Sequence, residues 1–297
     1  MKRFFITGIR GFIGTNLANF LVTKGFEVKG IDNLSSPSHL ILDKSVNFKE
    51  ADILKPEDYL NFMKDSDYVI HLAAMSRSGP SIGKDLFCIR QNLYGTQKIL
   101  EASIETNIKR IIYAGSSTYY GSSKVPHKVD IEPDFLNSYG FSKYLGEEAI
   151  KHLSKGKIEF NILRLFNVFG PGQPTSGPYA LVLGIFLNQR KSGKPLTIHG
   201  DGSQTRDFIH INDVSNAFLK ASISDSHSMI LNIGSGKRIS ILEIAKMVSN
   251  KYIFEERRKG DAKDTQADIK ETILKLNWEV KIDPIKEIKK IISDNTI

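Results

Sequence analysis

Three observations predict an α/β protein, a Rossmann-type doubly wound parallel sheet with a smaller C-terminal α/β substrate lobe. Over residues 1–165 short apolar runs alternate with longer amphipathic ones, the pattern of parallel strands covered by helices on both faces. A glycine-punctuated turn, Thr7-Gly8-Ile9-Arg10-Gly11-Phe12-Ile13-Gly14, joins the first apolar run to the first amphipathic one. After Leu165 the rhythm breaks at Gly170-Pro171-Gly172-Gln173-Pro174 and Ser176-Gly177-Pro178, both loop compositions.

The elements follow in order. Phe4 to Thr7 reads as a buried strand and Phe12 to Lys24 as a helix. The start, Met1-Lys2-Arg3-Phe4-Phe5-Ile6, is basic then apolar like a signal peptide, but Thr7-Gly8 cuts its apolar stretch too short for one. Glu27 to Asp32 and Val46 to Glu50 read as strands, with a helix from about Glu57. Asp67 to His71 is a fourth strand, and a long helix is expected from about Lys84 to Thr106. Arg110 to Ala114 is a fifth strand, Ser138 to Lys155 a helix, and Phe160 to Leu165 a sixth strand. Beyond them a helix runs to about Ser192, a turn covers Gly200 to Ser203, and Asn212 to Ser222 and Ile241 to Tyr252 read as helices. The division is a dinucleotide-binding domain over 1–165, to which about 207–235 returns, and a mainly substrate-binding lobe over 166–297. No repeat of solenoid length is visible.

Composition narrows the classes. The chain has 297 residues, 40% of them hydrophobic, enough to bury a substantial core. No apolar run approaches the ~20 residues of a membrane span. The lone cysteine, Cys88, excludes an internal disulfide and fits a reduced, cytoplasmic protein; between Phe87 and Ile89 it reads as packing. The net charge of +8 is spread out, with small clusters such as Arg257-Arg258-Lys259. That favours a solvated surface with a few anion-binding arginines over a nucleic-acid interface. The seven histidines show no ligand spacing, so no metal is expected.

The glycine turn, Gly8-x-x-Gly11-x-x-Gly14, lies between strand and helix, the context in which glycines let a pyrophosphate approach the backbone and the helix N-terminus. Asp32 ends the second strand about 20 residues on, where a carboxylate accepts both ribose hydroxyls of NAD and repels a 2'-phosphate. Arg10, inside the turn, points the other way, toward NADP; NAD is the favoured reading. Tyr139 and Lys143 stand one helical turn apart and share a face. A free phenol has a pKa of ~10, and an adjacent ammonium brings it toward the working range of a base. The strand before them ends in Gly115-Ser116-Ser117-Thr118, whose hydroxyls can steady a reacting oxygen.

These residues spell a family. The chain resembles the extended short-chain dehydrogenase/reductases of the NAD-dependent nucleotide-sugar epimerase/dehydratase group, and is similar in particular to UDP-glucose 4-epimerases. The likeness includes Thr7 to Gly14, Asp32-Asn33, Asp52-Ile53, His71-Leu72-Ala73-Ala74, Asn92-x-x-Gly95-Thr96, Ser116 to Gly121 and Tyr139 to Lys143. It continues through Leu163 to Gly172, Gly200 to His210, and Arg258-Lys259-Gly260-Asp261. The resemblance implies Tyr139 as the base, Lys143 as its modulator and a ribose contact, and Ser116 as the hydroxyl partner, with Ser117 beside it at the sugar. It implies a cofactor seat of Gly8, Gly11, Phe12, Ile13, Gly14, Asp32, Asn33, Asp52, Ile53, Leu72, Ala73, Ala74 and Asn92. Asn167, Arg206 and Arg258 would hold the diphosphate, the arginines by their planar forks.

Dehydratases and decarboxylases of the group carry acidic residues just after the Ser/Thr, where this chain has Ser117 and Thr118. That leaves 4-epimerisation first: Tyr139 takes the C4 hydroxyl proton, NAD takes and returns the hydride, and the cofactor ends unchanged. An NADPH-dependent 4-keto-sugar reductase, motivated by Arg10, is the runner-up. A non-catalytic nucleotide-binding relative ranks lower, because Ser116, Tyr139 and Lys143 are all present. Thr265, seven beyond Arg258, stands where the resemblance places a gate to the sugar pocket, and its small size implies room for an N-acetyl group. The resemblance also implies a homodimer through the Lys84–Thr106 and Ser138–Lys155 helices, with Leu86, Ile89, Leu93, Leu145 and Ala149 at the contact.

Overall fold

The computed structural model describes residues 1–76 and 78–294. Its centre is a seven-stranded sheet in the order β3-β2-β1-β4-β5-β6-β11. The strands are β1 (Arg3–Thr7), β2 (Glu27–Asp32), β3 (Asn47–Glu50), β4 (Tyr68–His71), β5 (Arg110–Ser116), β6 (Glu159–Leu165) and β11 (Met229–Ile233). Every pairing is parallel, so each crossover is a helix or longer segment packed on a face. Alternate side chains serve opposite faces. Phe4 and Ile6 of β1 and Ile112 of β5 join one apolar cluster, while Phe5 of β1 and Ile111 and Tyr113 of β5 join the other. The first cluster is closed by α1 (Phe12–Thr23), α8 (Ile211–Ile223) and Trp278. The second is closed by α2 (Pro56–Met63), α5 (Gly95–Glu105) and α6 (Ser138–Leu153). Only the edge strand β3, Asn-Phe-Lys-Glu, is largely exposed, and its polar side chains guard an open edge.

A third cluster, from Phe169, Leu183, Phe186, Leu196, Ile198, Phe208, Ile241, Ile244 and Ile288, forms the core of the second lobe. Short pairs of strands frame it: β7 (Asn167–Phe169) with β10 (Phe208–His210), β8 (Leu196–His199) with β13 (Tyr252–Glu255), and β9 (Thr205–Arg206) with β12 (Ile239–Ser240). Around them pack α7 (Val182–Lys191), α9 (Ile241–Val248) and α11 (Pro284–Asp294), while α10 (Lys270–Leu276) lies near β11.

Two helix expectations are corrected. Helix α9 stops at Val248 instead of reaching Tyr252. It starts on a capping box between Ser240 and Glu243, and its apolar period ends at Val248. The aromatic and β-branched run Tyr252-Ile253-Phe254 is drawn off to pair with Leu196, Thr197 and Ile198. The long helix from Lys84 to Thr106 is α4 (Asp85–Ile89), a π turn over Arg90–Tyr94, and α5. A π turn holds one residue more than an α turn and re-aims what it carries; here it turns Asn92 into the interior, where it is buried.

Behind α6 lies a buried ion pair. The Arg164 guanidinium donates from Nε and Nη2 to the Glu147 carboxylate at 3.0 and 2.5 Å. Its Nη1 donates to the Tyr120 hydroxyl and the Val129 carbonyl at 3.0 and 2.9 Å. All the charge is matched, so desolvation is offset, but neither partner can be removed alone. Arg164→Met should therefore lower the unfolding free energy by about 3–5 kcal/mol in urea titration, leaving Glu147 uncompensated. Adding Glu147→Leu should recover most of that loss.

Candidate active site

A cavity of about 1070 Å³ opens over the carboxyl ends of the central strands, where ligands of doubly wound sheets sit. The glycine turn forms its floor. Gly8 has φ of +72°, which other residues rarely adopt, and a Cβ on it would lie 2.9 Å from the Ala73 nitrogen. A Cβ on Gly14 would lie 2.1 Å from the Gly8 carbonyl oxygen, so the start of α1 can approach β1 only without a side chain there. The Gly8 amide is tied to the Ile31 carbonyl at 2.8 Å, binding the turn to the end of β2. The cradle has the bare backbone that a pyrophosphate needs.

At the tip of β2 the Asp32 carboxylate accepts the Leu34 amide at 2.7 Å and the Arg10 amide at 3.0 Å. Burial pushes its pKa up, and these amides work against that shift. The backbone of Arg10 thus braces the carboxylate, and its charge also favours the ionised form of Asp32. Asn33, Asp52 and Ile53, then Leu72, Ala73 and Ala74, line the same cavity as Gly8, Gly11, Phe12, Ile13 and Gly14. Asn92 does not, which corrects its placement as a lining residue. Its side chain instead clamps Met75, accepting the amide at 2.8 Å and donating to the carbonyl at 3.0 Å.

Tyr139 and Lys143 enter the cavity from the first turns of α6. Asn137 caps that helix, its side chain accepting the Gly140 amide at 2.9 Å. A Cβ on Gly140 would come 2.9 Å from the Thr118 carbonyl, so glycine lets the helix start rest directly on the short helix Ser117–Tyr120. Tyr139 and the hydroxyls at the end of β5 line the same cavity. The Ser116 hydroxyl is 2.8 Å from that of Thr118, and Ser116 and Ser117 both line the cavity. Lys143 is only 4% exposed. Its Nζ stands 4.0 Å from the centre of the Tyr113 ring, and the Tyr113 hydroxyl donates to the Lys143 carbonyl at 3.1 Å. Burial pushes the ammonium pKa down to about 7, with Cys88 and Glu147 opposing the shift. Cys88 itself is buried, its thiol pushed up by burial.

The far wall belongs to the second lobe. Asn167, Arg206, Arg258 and Thr265 line it, although they come from separate segments. Asp207 holds these segments together. Its carboxylate accepts the Ser235 amide and hydroxyl, both at 2.7 Å, the Gly236 amide at 3.0 Å and the Ala267 amide at 2.9 Å. Burial raises its pKa to about 6 despite these donors. Its own amide reaches the Thr265 hydroxyl at 3.3 Å, and its carbonyl accepts the Asn167 amide at 3.0 Å. The Arg206 guanidinium donates to the carbonyls of Thr205 and Lys263 at 2.8 and 3.2 Å. Burial lowers its pKa, and Asp261 and Asp264 oppose that shift. Tyr179, Gln189 and His199 also line the cavity. No motif marks them in the sequence; the loop before α7, α7 itself and β8 bring them there. Among the described residues no group of His, Cys, Asp or Glu could hold a metal ion, and no helix is long and apolar enough to cross a membrane.

Comparison with known proteins fits this geometry. The model of the family described as "NAD dependent epimerase/dehydratase" matches residues 4–234. A putative UDP-glucose 4-epimerase of Methanocaldococcus jannaschii is 32% identical over 299 residues, covering 97% of this chain and 96% of that one. A UDP-N-acetyl-alpha-D-glucosaminuronate decarboxylase of Bacillus cytotoxicus is 32% identical over 254 residues, covering 82% and 78%. The structure of a UDP-N-acetylglucosamine 4-epimerase from Methanobrevibacter ruminantium, solved with UDP-N-acetylmuramic acid, superposes with a TM-score of 0.91 at 28% identity, covering 98% and 97%. With its parallel sheet, glycine cradle and Tyr139–Lys143 helix, the chain belongs to the NAD dependent epimerase/dehydratase family, whose cofactor is NAD.

Proposed function

We propose that this chain interconverts the C4 epimers of a UDP-hexose. The observation that carries the reading is the single cavity shared by the glycine cradle, the Tyr139–Lys143 helix and the hydroxyl-only run Ser116-Ser117-Thr118. Tyr139 takes the proton of the C4 hydroxyl. Lys143, fixed under it by the Tyr113 ring, favours the phenolate. Ser116 steadies the reacting oxygen by a hydrogen bond that strengthens as charge develops. The Gly8–Gly14 turn and Asp32 would hold NAD, which would supply the hydride chemistry at C4. Arg206 and Arg258 hold the diphosphate while the keto sugar turns over beneath them, and Tyr139 then gives its proton back.

Neither Ser117 nor Thr118 offers the carboxylate that the resemblance associates with dehydration or decarboxylation, so those reactions rank below epimerisation despite the decarboxylase relative. NAD as the family's cofactor weighs against the NADPH-consuming reductase that Arg10 suggested. Thr265 is a small side chain in the cavity wall, which supports acceptance of N-acetylated hexoses beside UDP-glucose. The same reading includes a homodimer. Leu86 is 84% exposed, Phe87 53% and Tyr94 44%, on segments that pack with α6, and Leu93 and Leu145 are partly covered beside them.

NMR of the protein with UDP-glucose and NAD should show UDP-galactose forming without added reductant; carbon dioxide release from UDP-glucuronic acid instead would replace epimerisation with decarboxylation. Tyr139→Phe should cut kcat by about 10²–10⁴-fold while NAD stays bound. UDP-N-acetylglucosamine should also turn over, and activity confined to UDP-glucose would remove Thr265 from its role.

Lys143→Met tests the buried ammonium. A folded-state pKa near 7, below the unfolded ~10.4, means that the folded state binds fewer protons between those values. The cost of burying the charge is fully present below about pH 7 and is relieved as pH rises toward ~10.4. The variant without NAD should thus be more stable than the unaltered chain by up to about 4 kcal/mol at pH 6, and less so at pH 9, in urea titrations.

A further inference from the structure

His71 ends β4 at 1% exposure and takes no part in the proton transfer above. Its neighbours nevertheless decide which of its nitrogens carries hydrogen. Nδ1 lies 2.7 Å from Thr7 Oγ1, and Nε2 lies 3.1 Å from Thr96 Oγ1. Thr96 Oγ1 is 2.5 Å from the Asn92 carbonyl oxygen, a separation two oxygens hold only with a hydrogen between them. The Thr96 hydrogen is therefore committed to Asn92, and a lone pair faces the ring. Nε2 must supply the hydrogen there, which leaves Nδ1 as an acceptor for the Thr7 hydroxyl. Thr7 Oγ1 in turn accepts the Ala73 amide at 3.2 Å.

Each joint of this row then has one donor and one acceptor. With Nδ1–H the row fails at both ends. Thr7 would receive two hydrogens and have nowhere to place its own, and Nε2 would set its lone pair against that of Thr96. A charged ring fails at Thr7 in the same way. Burial, and then the nearby Lys143 charge, push the ring pKa down to about 3, so the ring is neutral at any working pH.

Both ends of the row reach the cavity. Ala73 lines it. The side chain of Asn92 clamps Met75 and also donates to Ser142 Oγ at 2.8 Å, whose hydroxyl donates to the Tyr139 carbonyl at 2.9 Å. We propose that His71, as its neutral Nε2–H tautomer, is a positioning residue. It orients a hydrogen-bond row that holds the cavity floor at Ala73–Met75 in register with the first turn of α6. It touches neither sugar nor cofactor. The proposal concerns the seat of NAD and stands whichever sugar reaction follows.

The test uses the full chain labelled with ¹⁵N-histidine and loaded with NAD, the His71 signal being assigned by its loss in His71→Gln. Two-bond nitrogen–proton spectra should show the Nε2–H pattern, unmoved from about pH 5 to 8, where an ordinary histidine titrates. An Nδ1–H pattern, or a ring that titrates in that window, overturns the proposal. NAD binding by Thr7→Ser should stay within about threefold of the unaltered protein, while Thr7→Val, which loses both the bond to His71 and the one from the Ala73 amide, should weaken it at least about tenfold. Equal binding by Thr7→Val overturns it as well. Should that variant fail to fold, the spectrum of the unaltered protein decides alone. Neither readout needs a sugar, so failure here is distinct from failure of the epimerase reading.

Discussion

A lysine is held out of water at the end of a parallel sheet, and much of the architecture is arranged around it. Lys143 can be buried because the Tyr113 ring lies under its ammonium and Glu147 stands one turn further along the same helix. Glu147 is in turn matched by Arg164, which reaches it from β6. The sheet therefore does more than display loops. Its strands β5 and β6 supply the aromatic face and the countercharge that settle the helix carrying Tyr139 and Lys143. Low local dielectric strengthens each of these interactions and makes each unmatched group costly.

The two lobes are joined by the same kind of chemistry. Asp207 gathers the Ser235–Gly236 loop and Ala267 on one carboxylate, while its backbone engages Asn167 and Thr265. Residues that line the far wall are thereby set relative to β11 of the central sheet by a few donors around one buried acid. A solvent-exposed loop could not hold Arg206 and Thr265 to one wall in this way, since its backbone would exchange these bonds for water. The carboxylate stays buried because four hydrogen bonds, from Ser235 N, Ser235 Oγ, Gly236 N and Ala267 N, stand in for hydration.

Polar rows extend the scheme to the cofactor side. Thr7, His71 and Thr96 lie on β1, β4 and α5, and Asn92 lies on the π turn before α5. Their side chains run beneath the cavity floor rather than along it. The π turn explains why Asn92 can face Met75 and Ser142 at once: an extra residue in the turn swings it off the face that a regular helix would give it.

Much of the central domain was legible in the chain because it is written in local terms. Strands buried on both faces leave unbroken apolar runs, glycines mark where backbone must meet backbone, and Tyr139 and Lys143 share a face whatever surrounds the helix. The second lobe was less legible. Its strands are two to four residues long, too short to leave a period, and they exist because each finds a partner far away; Tyr252–Glu255 pairs with Leu196–His199, and Tyr252 so escapes the helix that local pattern assigned to it. Likewise nothing near Asn92 signals a π turn, and nothing near Arg10 says that its backbone amide meets the Asp32 carboxylate. Sequence alone determined the fold class, the glycine cradle and the shared face of Tyr139 and Lys143, since these follow from steric and periodic rules acting within about 20 residues. Tertiary structure decided the burial of Lys143, the hub at Asp207 and the tautomer of His71, because desolvation and hydrogen-bond satisfaction depend on what distant segments bring to the same few ångströms.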